Sequence, residues 1–93
     1  MSALSNRAFA GTAIDRAAAH TGVPADDIMS EKRDPLLVEI RWAVMTVLHR
    51  RHMSSAAIGR LLQRDHSTVL YGLRKAKGLL SDQHFRELVD GIG

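Results

Sequence analysis

A short polar run in the second half of the chain carries the side chains best suited to chemistry. Residues 64–70 read Arg-Asp-His-Ser-Thr-Val-Leu, so a cation, a carboxylate, an imidazole and two hydroxyls precede an apolar, basic stretch. Free N–H groups and the positive dipole end at a helix start attract a phosphate oxygen, and short polar side chains there can reach base edges in the major groove. This composition is typical of a helix start that reads DNA.

Positive charge is concentrated in the middle of the chain. The net charge is +3, yet residues 30–80 carry ten Lys and Arg against four Asp and Glu, while both ends are slightly acidic. A basic centre between acidic ends favours a polyanionic partner that binds one face of the protein.

Length and composition limit the other possibilities. Ninety-three residues predict a single domain over residues 1–93, with little interior left to form a deep substrate cavity. The absence of cysteine excludes disulfides and thiolate metal sites. The apolar stretches are too short to cross a bilayer, and the first residues lack the layout of a secretory signal. We therefore expect a cytoplasmic, nucleoid-associated protein.

The spacing of apolar residues predicts an all-α chain with short connections. The predicted helices span about residues 6–20, 25–29, 35–51, 55–62, 66–80 and 81–89. Gly22 is expected to end the first helix in a left-handed conformation, and Asp34 followed by Pro35 is expected to begin the third. Ser54 is the expected cap of the fourth helix. Three residues between the fourth and fifth helices give the spacing of a helix-turn-helix.

The same spacing assigns side chains to the inside and outside of these helices. In the fifth predicted helix, the buried residues are expected to be Val69, Leu70, Leu73, Ala76 and Leu80. In the third, the polar positions are Glu39, Arg41, Thr46, Arg50 and Arg51. Trp42 and Met45 are expected to pack in the core, although an exposed Trp42 would be a candidate partner contact. Gly59 is expected to permit a close helix crossing. Tyr71 could touch DNA or a neighbouring side chain.

Residues 64–75 resemble a known family. Their sequence, Arg-Asp-His-Ser-Thr-Val-Leu-Tyr-Gly-Leu-Arg-Lys, is similar to the signature of the carboxy-terminal DNA-binding domain of the bacterial replication initiator DnaA. Residues 27–30, a basic loop, a long helix and residues 58–59 follow in the family's order, so the resemblance covers about residues 6–90. It implies a compact helical bundle with a helix-turn-helix, of the DnaA domain IV-like, Trp repressor-like kind.

The resemblance also implies a role for each matching residue. It implies that Asp65, His66 and Ser67 contact DNA bases in the major groove and that Arg33 contacts bases in the minor groove. Contacts with the DNA backbone fall to Arg64, Thr68, Arg41, Lys32, Arg74 and Lys75. The chemistry agrees, because a carboxylate can accept from cytosine or adenine amino groups and a hydroxyl can serve as donor or acceptor. Phosphate contacts of this kind set the register without reading sequence.

Several positions depart from the family pattern. Leu62-Gln63 replaces the family's glycine pair with one residue fewer, the loop of several arginines is reduced to Lys32-Arg33, and Ser67 lacks a threonine's methyl. The family's own target sequence is therefore not carried over, whereas double-stranded DNA remains the expected ligand. The 93 residues contain no Gly-x-x-x-x-Gly-Lys-Ser/Thr loop, so they are not expected to act alone as an ATP-driven initiator.

Simpler interpretations exist for the same residues. Asp65 could be only a helix cap, and His66 only an exposed histidine. His49 and His52 lie one turn apart but lack a third ligand, so we expect no metal site. The pair at residues 26–27 is explained by the preference of a helix start for acidic residues, so we expect no catalytic residue, no cofactor, no small-molecule substrate and no enzyme activity.

Three functions remain open at this point. The first is a sequence-specific double-stranded DNA-binding protein that regulates transcription, with RNA polymerase or another regulator as a partner. The resemblance implies this because free-standing relatives occur in phage-derived and regulatory settings. The second is a factor that binds the replication origin or competes for initiator boxes. The third is a helical adaptor whose basic face binds an acidic protein.

Overall fold

The protein is built from helices. A computed structural model describes residues 3–93, with side chains from residue 5 onward, and within that range there is no strand. The helices are α1 (Ala3–Thr21), α2 (Ala25–Met29), α3 (Pro35–Arg50), α4 (Ser55–Leu62), α5 (His66–Leu79) and α6 (Gln83–Ile92). The prediction of an all-α bundle with a helix-turn-helix is confirmed. None of these helices is both long enough and apolar enough to cross a membrane.

Turn and capping residues set where several helices begin and end. Gly22 follows α1 with a φ of +75°, and the Ser54 hydroxyl accepts a 3.1 Å hydrogen bond from the N–H of Ala57 in α4. Asp34 precedes α3, yet its side chain makes no capping hydrogen bond there. The last helix was predicted to begin at residue 81, which is wrong because Asp82 is its N-cap and the helix begins at Gln83, two residues later.

The central helix α3 packs against all of the other described helices. Its inward face supplies Ile40, Val44, Met45 and Leu48, each at most 2% exposed. The surrounding helices bury Ile58, Val69, Phe85, Val89 and Ile92 around it. Burial of one such side chain contributes about 1.5–3 kcal/mol. The position of α3 in turn sets the positions of α5 and of the loop that precedes α3.

The inward face of α5 is narrower than the sequence predicts. Val69 and Ala76 are buried as expected, and Leu73 and Leu80 are half-buried. The prediction that Leu70 is buried is wrong, because this side chain is 48% exposed. Successive residues of a helix point about 100° apart, so Leu70 turns away from the interface that Val69 occupies.

Two of the predicted polar positions on α3 are buried. The hydroxyl of Thr46 donates to the Trp42 carbonyl at 2.9 Å, so it is satisfied within its own helix. Arg41 is only 8% exposed, because the chain from α2 to α3 folds over its side chain. The polar groups of both side chains therefore make hydrogen bonds within the protein.

The turn between α4 and α5 depends on Gly59. The Gly59 carbonyl accepts from the Arg64 N–H at 2.8 Å, and Gln63 between them has the left-handed φ of 57°. A Cβ at Gly59 would lie 2.6 Å from the Arg64 carbonyl oxygen and 3.5 Å from the His66 nitrogen. The close approach expected at Gly59 is present, and it sets how tightly α5 follows α4.

We predict that Gly59→Ala lowers the free energy of unfolding by about 1–3 kcal/mol, the usual effect of overpacking. The new methyl would meet a backbone carbonyl, which cannot move aside as a flexible side chain can. Gly11→Ala is the matched control, since nothing lies within 4 Å of a Cβ there in α1. That control should raise the free energy of unfolding by up to about 1 kcal/mol, because alanine has a higher helix propensity than glycine. Chemical denaturation measures both, and equal stability changes in the two variants would contradict the packing argument.

Candidate nucleic-acid interface

The first turn of α5 is organised by Asp65. Its Oδ1 accepts from the backbone N–H and from the hydroxyl of Ser67, both at 3.0 Å, so it is the N-cap of α5. These two bonds to Ser67 hold the pKa of the Asp65 carboxyl below its usual range, with a smaller contribution from His66. The carboxylate cap is therefore present above the ordinary pKa of Asp and is lost only as the pH falls through the lowered value.

The predicted base-reading residues lie together on the surface. The side chains of Asp65 and His66 are 70% and 63% exposed, with His66 Nδ1 3.5 Å from Asp65 Oδ1. Ser67 and Thr68 are exposed as well. Both bonds from Ser67 go to the same carboxylate oxygen, and among the described residues no donor is bound to Asp65 Oδ2. The cap and a contact with an outside donor are therefore compatible.

The loop between α2 and α3 carries the other predicted cations. Lys32 Nζ lies 3.5 Å from Asp27 Oδ1, and both side chains are well exposed, so this ion pair contributes little to stability. Arg33 is exposed, and no acceptor lies within hydrogen-bond distance of its guanidinium in the described part of the chain. The loop therefore presents Arg33 to solvent with its donors available.

An open cleft separates this loop from α5. Its volume is about 650 Å³. The lining comes from the loop, α3, the helix-turn-helix turn and α5, and comprises Glu31, Arg33, Val38, Arg41, Trp42, Met45, Gln63, Arg64, Asp65, Thr68 and Tyr71. Arg33 of the loop therefore lines the same cleft as Thr68 and Tyr71 in the first two turns of α5.

Arg41 does not occupy the place that the sequence prediction gave it. Its Nε donates to the Ile28 carbonyl at 2.6 Å and its Nη1 to the Lys32 carbonyl at 2.6 Å. Its Nη2 donates to the carbonyls of Ser30 and Asp27, at 2.7 Å and 3.2 Å. Each nitrogen of this buried guanidinium is therefore bonded to backbone within the protein.

The charge of Arg41 is held without a carboxylate in hydrogen-bond contact. Burial lowers the pKa of its guanidinium, the charge of Arg64 lowers it further, and the carboxylate of Asp34 raises it. The ordinary pKa of an arginine lies far above neutral, so the group stays cationic at neutral pH. Its bonds to carbonyl oxygens offset part of the desolvation that burial causes.

Arg64 also bonds to backbone, although it is only half-buried. Its Nη2 donates to the Ser30 carbonyl, the same oxygen that Arg41 contacts. Its Nη1 donates to the Leu62 carbonyl at 3.1 Å. Arg64 therefore ties the helix-turn-helix turn to the loop and still lines the cleft.

An aromatic pair lines the same cleft, although the sequence favoured a core position for Trp42 and left two possible contacts for Tyr71. Trp42 of α3 and Tyr71 of α5 meet edge to face, with ring centroids 6.3 Å apart, and the Lys75 ammonium lies 5.4 Å from the Tyr71 centroid. A Cβ at Gly72 would lie 2.7 Å from both Trp42 Cδ1 and Met45 Sδ. Glycine in the middle of a helix is the sequence signal for this close approach.

The remaining predicted cations are not among the residues that line the cleft. Arg74 and Lys75 are exposed farther along α5. Arg51 lies over the Phe9 ring, 4.1 Å from its centroid, near the C-terminal end of α3 and away from the cleft. Among the residues described from 3 to 93, no group of three or more His, Cys, Asp or Glu is placed to hold a metal ion.

Comparison with known proteins agrees with this geometry. Residues 12–76 match the family described as "Bacterial dnaA protein helix-turn-helix". The chain is 31% identical over 72 residues to the chromosomal replication initiator protein DnaA of Mycoplasma genitalium, a match that covers 75% of this chain and 16% of that protein. The corresponding protein of Mycoplasma pneumoniae is 29% identical over 72 residues, with the same coverage. The chain spans about a sixth of the length of these curated relatives. Because the family match includes most of the chain and both helices of the helix-turn-helix, the chain belongs to the bacterial DnaA helix-turn-helix family.

Proposed function

We propose that this chain binds double-stranded DNA in a sequence-specific way, with the start of α5 in the major groove and Arg33 in the adjacent minor groove. The observation that carries the proposal is the cleft between Arg33 and α5. In a duplex, one sugar–phosphate strand separates a major groove from the minor groove beside it. A protein that reads both grooves therefore needs a channel for that strand, and this cleft has the position and openness to hold it.

In this arrangement the polar turn of α5 reads base edges. Asp65 accepts a hydrogen bond from an adenine or cytosine amino group through Oδ2, while Oδ1 keeps the helix capped. His66 and Ser67 contact neighbouring bases. Arg33 reaches the minor groove, where arginine responds to groove width and to A·T content.

Phosphate contacts come from groups around the cleft and along α5. We assign them to Thr68, Arg64, Lys32, Arg74 and Lys75, with the first-turn N–H groups of α5 adding a helix-dipole contribution. Arg41 is left out of this set because its donors bind backbone carbonyls. The longest dimension of the protein, 33 Å, is about one turn of DNA, so one copy covers a single short site.

The biological role we propose is regulation of transcription, in the cytoplasm and with RNA polymerase or another regulator as a partner. A domain that occupies a DNA site can recruit or obstruct polymerase without nucleotide hydrolysis. The alternative role is binding at the replication origin, which the names of the similar Mycoplasma proteins favour. Genome-wide occupancy separates the two, since promoters are expected for the first and the origin for the second.

Selection of bound sequences from a random duplex pool tests DNA recognition itself. The proposal expects one enriched motif that competes well against unrelated duplexes at moderate salt. Recovery of bound duplexes with no enriched motif would contradict it, and so would the absence of any shift in DNA mobility on addition of the protein. The absence of a shift would instead support an adaptor that binds an acidic protein.

We predict that Asp65→Asn changes base preference while preserving the fold. Asparagine is as good an N-cap as aspartate, but it presents an amide where the carboxylate accepted from a base. Discrimination at the contacted base pair should fall by about tenfold or more. Asp82→Asn is the matched control, because Asp82 caps α6 through a 3.2 Å bond from the Phe85 N–H. Titration of both variants against the selected motif and its single-base changes measures this, and an equal loss on every sequence would contradict base reading.

We predict that Arg33→Ala weakens binding and makes it less dependent on salt. Loss of one cation from the DNA interface should lower the slope of log K against log salt concentration by about 0.9. Arg7→Ala on α1 removes the same charge far from the cleft and should leave that slope unchanged. Affinity measured at several salt concentrations gives the result, and the same slope change in both variants would mean that only net charge matters.

We predict that DNA binding changes the fluorescence of Trp42, the single tryptophan of the chain. The indole lines the cleft, so a bound strand would alter its exposure to water. Trp42→Phe should abolish the signal, and a tryptophan placed by Phe9→Trp in that background should not respond. Fluorescence titration checks this, and a response from position 9 alone would locate the DNA elsewhere.

A further inference from the structure

We infer that Arg41 is a positioning residue for DNA recognition, which acts by holding the loop of Arg33 at a fixed distance from α5. This inference rests on the proposed two-groove binding. It differs from the role that the family resemblance implied, in which Arg41 contacts the DNA backbone. Residues 27–32, which comprise the last three residues of α2 and the start of the loop that follows it, are called the anchored segment.

Four carbonyl oxygens of the anchored segment accept from this one guanidinium. They belong to Asp27, Ile28, Ser30 and Lys32, with donor–acceptor distances between 2.6 and 3.2 Å. The last of these carbonyls belongs to the residue directly before Arg33. The path of the chain is therefore fixed up to the peptide that leads into Arg33.

A second arginine joins the anchored segment to the turn that precedes α5. The Ser30 carbonyl accepts from Nη2 of Arg41 and also from Nη2 of Arg64, which lies two residues before α5. Arg41 belongs to α3, the central helix of the core. One carbonyl oxygen thus connects the central helix, the loop that presents Arg33 and the turn that begins α5.

Local bonds within the loop could not replace these contacts. The Ser30 hydroxyl donates to the Asp27 carbonyl at 2.6 Å and accepts from the Lys32 N–H at 3.3 Å. Those bonds close a turn but make no contact with α3 or α5. The planar fork of an arginine can reach several carbonyls at once, whereas a lysine ammonium is a compact charge with a different geometry. Arg41→Lys should keep the charge and release part of the anchored segment.

A double-mutant cycle between Arg33 and Arg41 tests the inference. Arg33→Ala should weaken binding to the selected motif by about tenfold, a typical value for one good base contact. Arg41→Lys should cause a similar loss of affinity. The loss should be confined to the flank of the motif, which is the set of base pairs that Arg33 contacts in the minor groove. The double variant should bind within about twofold of Arg33→Ala, because a positioning residue has no further effect once its target is gone. Independent losses that multiply would overturn the inference.

Salt dependence separates positioning from a direct phosphate contact. In the Arg33→Ala background, adding Arg41→Gln should leave the slope of log K against log salt unchanged. A phosphate contact by Arg41 would instead lower that slope by about 0.9. Circular dichroism confirms that each variant is folded at the temperature of the titration.

A measurement on the unaltered protein covers the case in which Arg41 variants do not fold. One base pair is inserted between the part of the motif read by α5 and the flank read by Arg33. A fixed loop predicts that the insertion reduces binding as much as loss of the flank does. Unchanged affinity would overturn the inference. Failure of the proposed function looks different, since the unaltered protein would then show no preferred motif at all.

Discussion

The structure depends on the need to satisfy the backbone carbonyls of residues 27–32, whose own hydrogen bonds close only a local turn. Residues 27–32 run from the last residues of the five-residue helix α2 towards the central helix, and carbonyl groups buried there without donors would be costly. The protein meets this need with a buried guanidinium from α3 and a second one from the helix-turn-helix turn. Loop, core and recognition helix are thereby joined through side chains.

The interface combines structural and recognition roles in single residues. Asp65 caps α5 with one carboxylate oxygen and leaves the other facing solvent. Arg64 bonds to the loop and still lines the cleft. Such sharing suits a chain of 93 residues, which has a limited number of side chains for both purposes. It also means that alanine variants of these residues mix folding with binding, so conservative replacements report more clearly on recognition.

Much of the fold could be predicted from local sequence. Gly22 and Ser54 mark helix ends through backbone conformation and capping, which depend on near neighbours. The apolar spacing of α3 located its buried face for the same reason. Leu70 and Arg41 were misplaced because their environments depend on which helix or loop packs against them. No periodicity within α3 reveals that a loop nine or more residues earlier folds over Arg41.

The site was predictable only in part. The polar run before α5 identified Asp65, His66 and Ser67 as surface groups, because helix starts have known preferences for such residues. The cleft that faces them is formed by three separate segments, and its aromatic pair of Trp42 and Tyr71 arises from the crossing of α3 and α5. Contacts of this kind follow from tertiary packing, which the sequence pattern does not specify.

The central claim is that one protein copy reads a major groove with α5 and the neighbouring minor groove with Arg33. The most direct measurement is competition binding with duplexes in which each pair of the selected motif is replaced, in turn, by inosine·cytosine. This pair matches G·C in the major groove but lacks the guanine amino group in the minor groove. The account predicts that inosine·cytosine replaces A·T without loss only in the flank assigned to Arg33, and behaves as G·C opposite α5. Indistinguishable effects of inosine·cytosine and G·C at every position would contradict it.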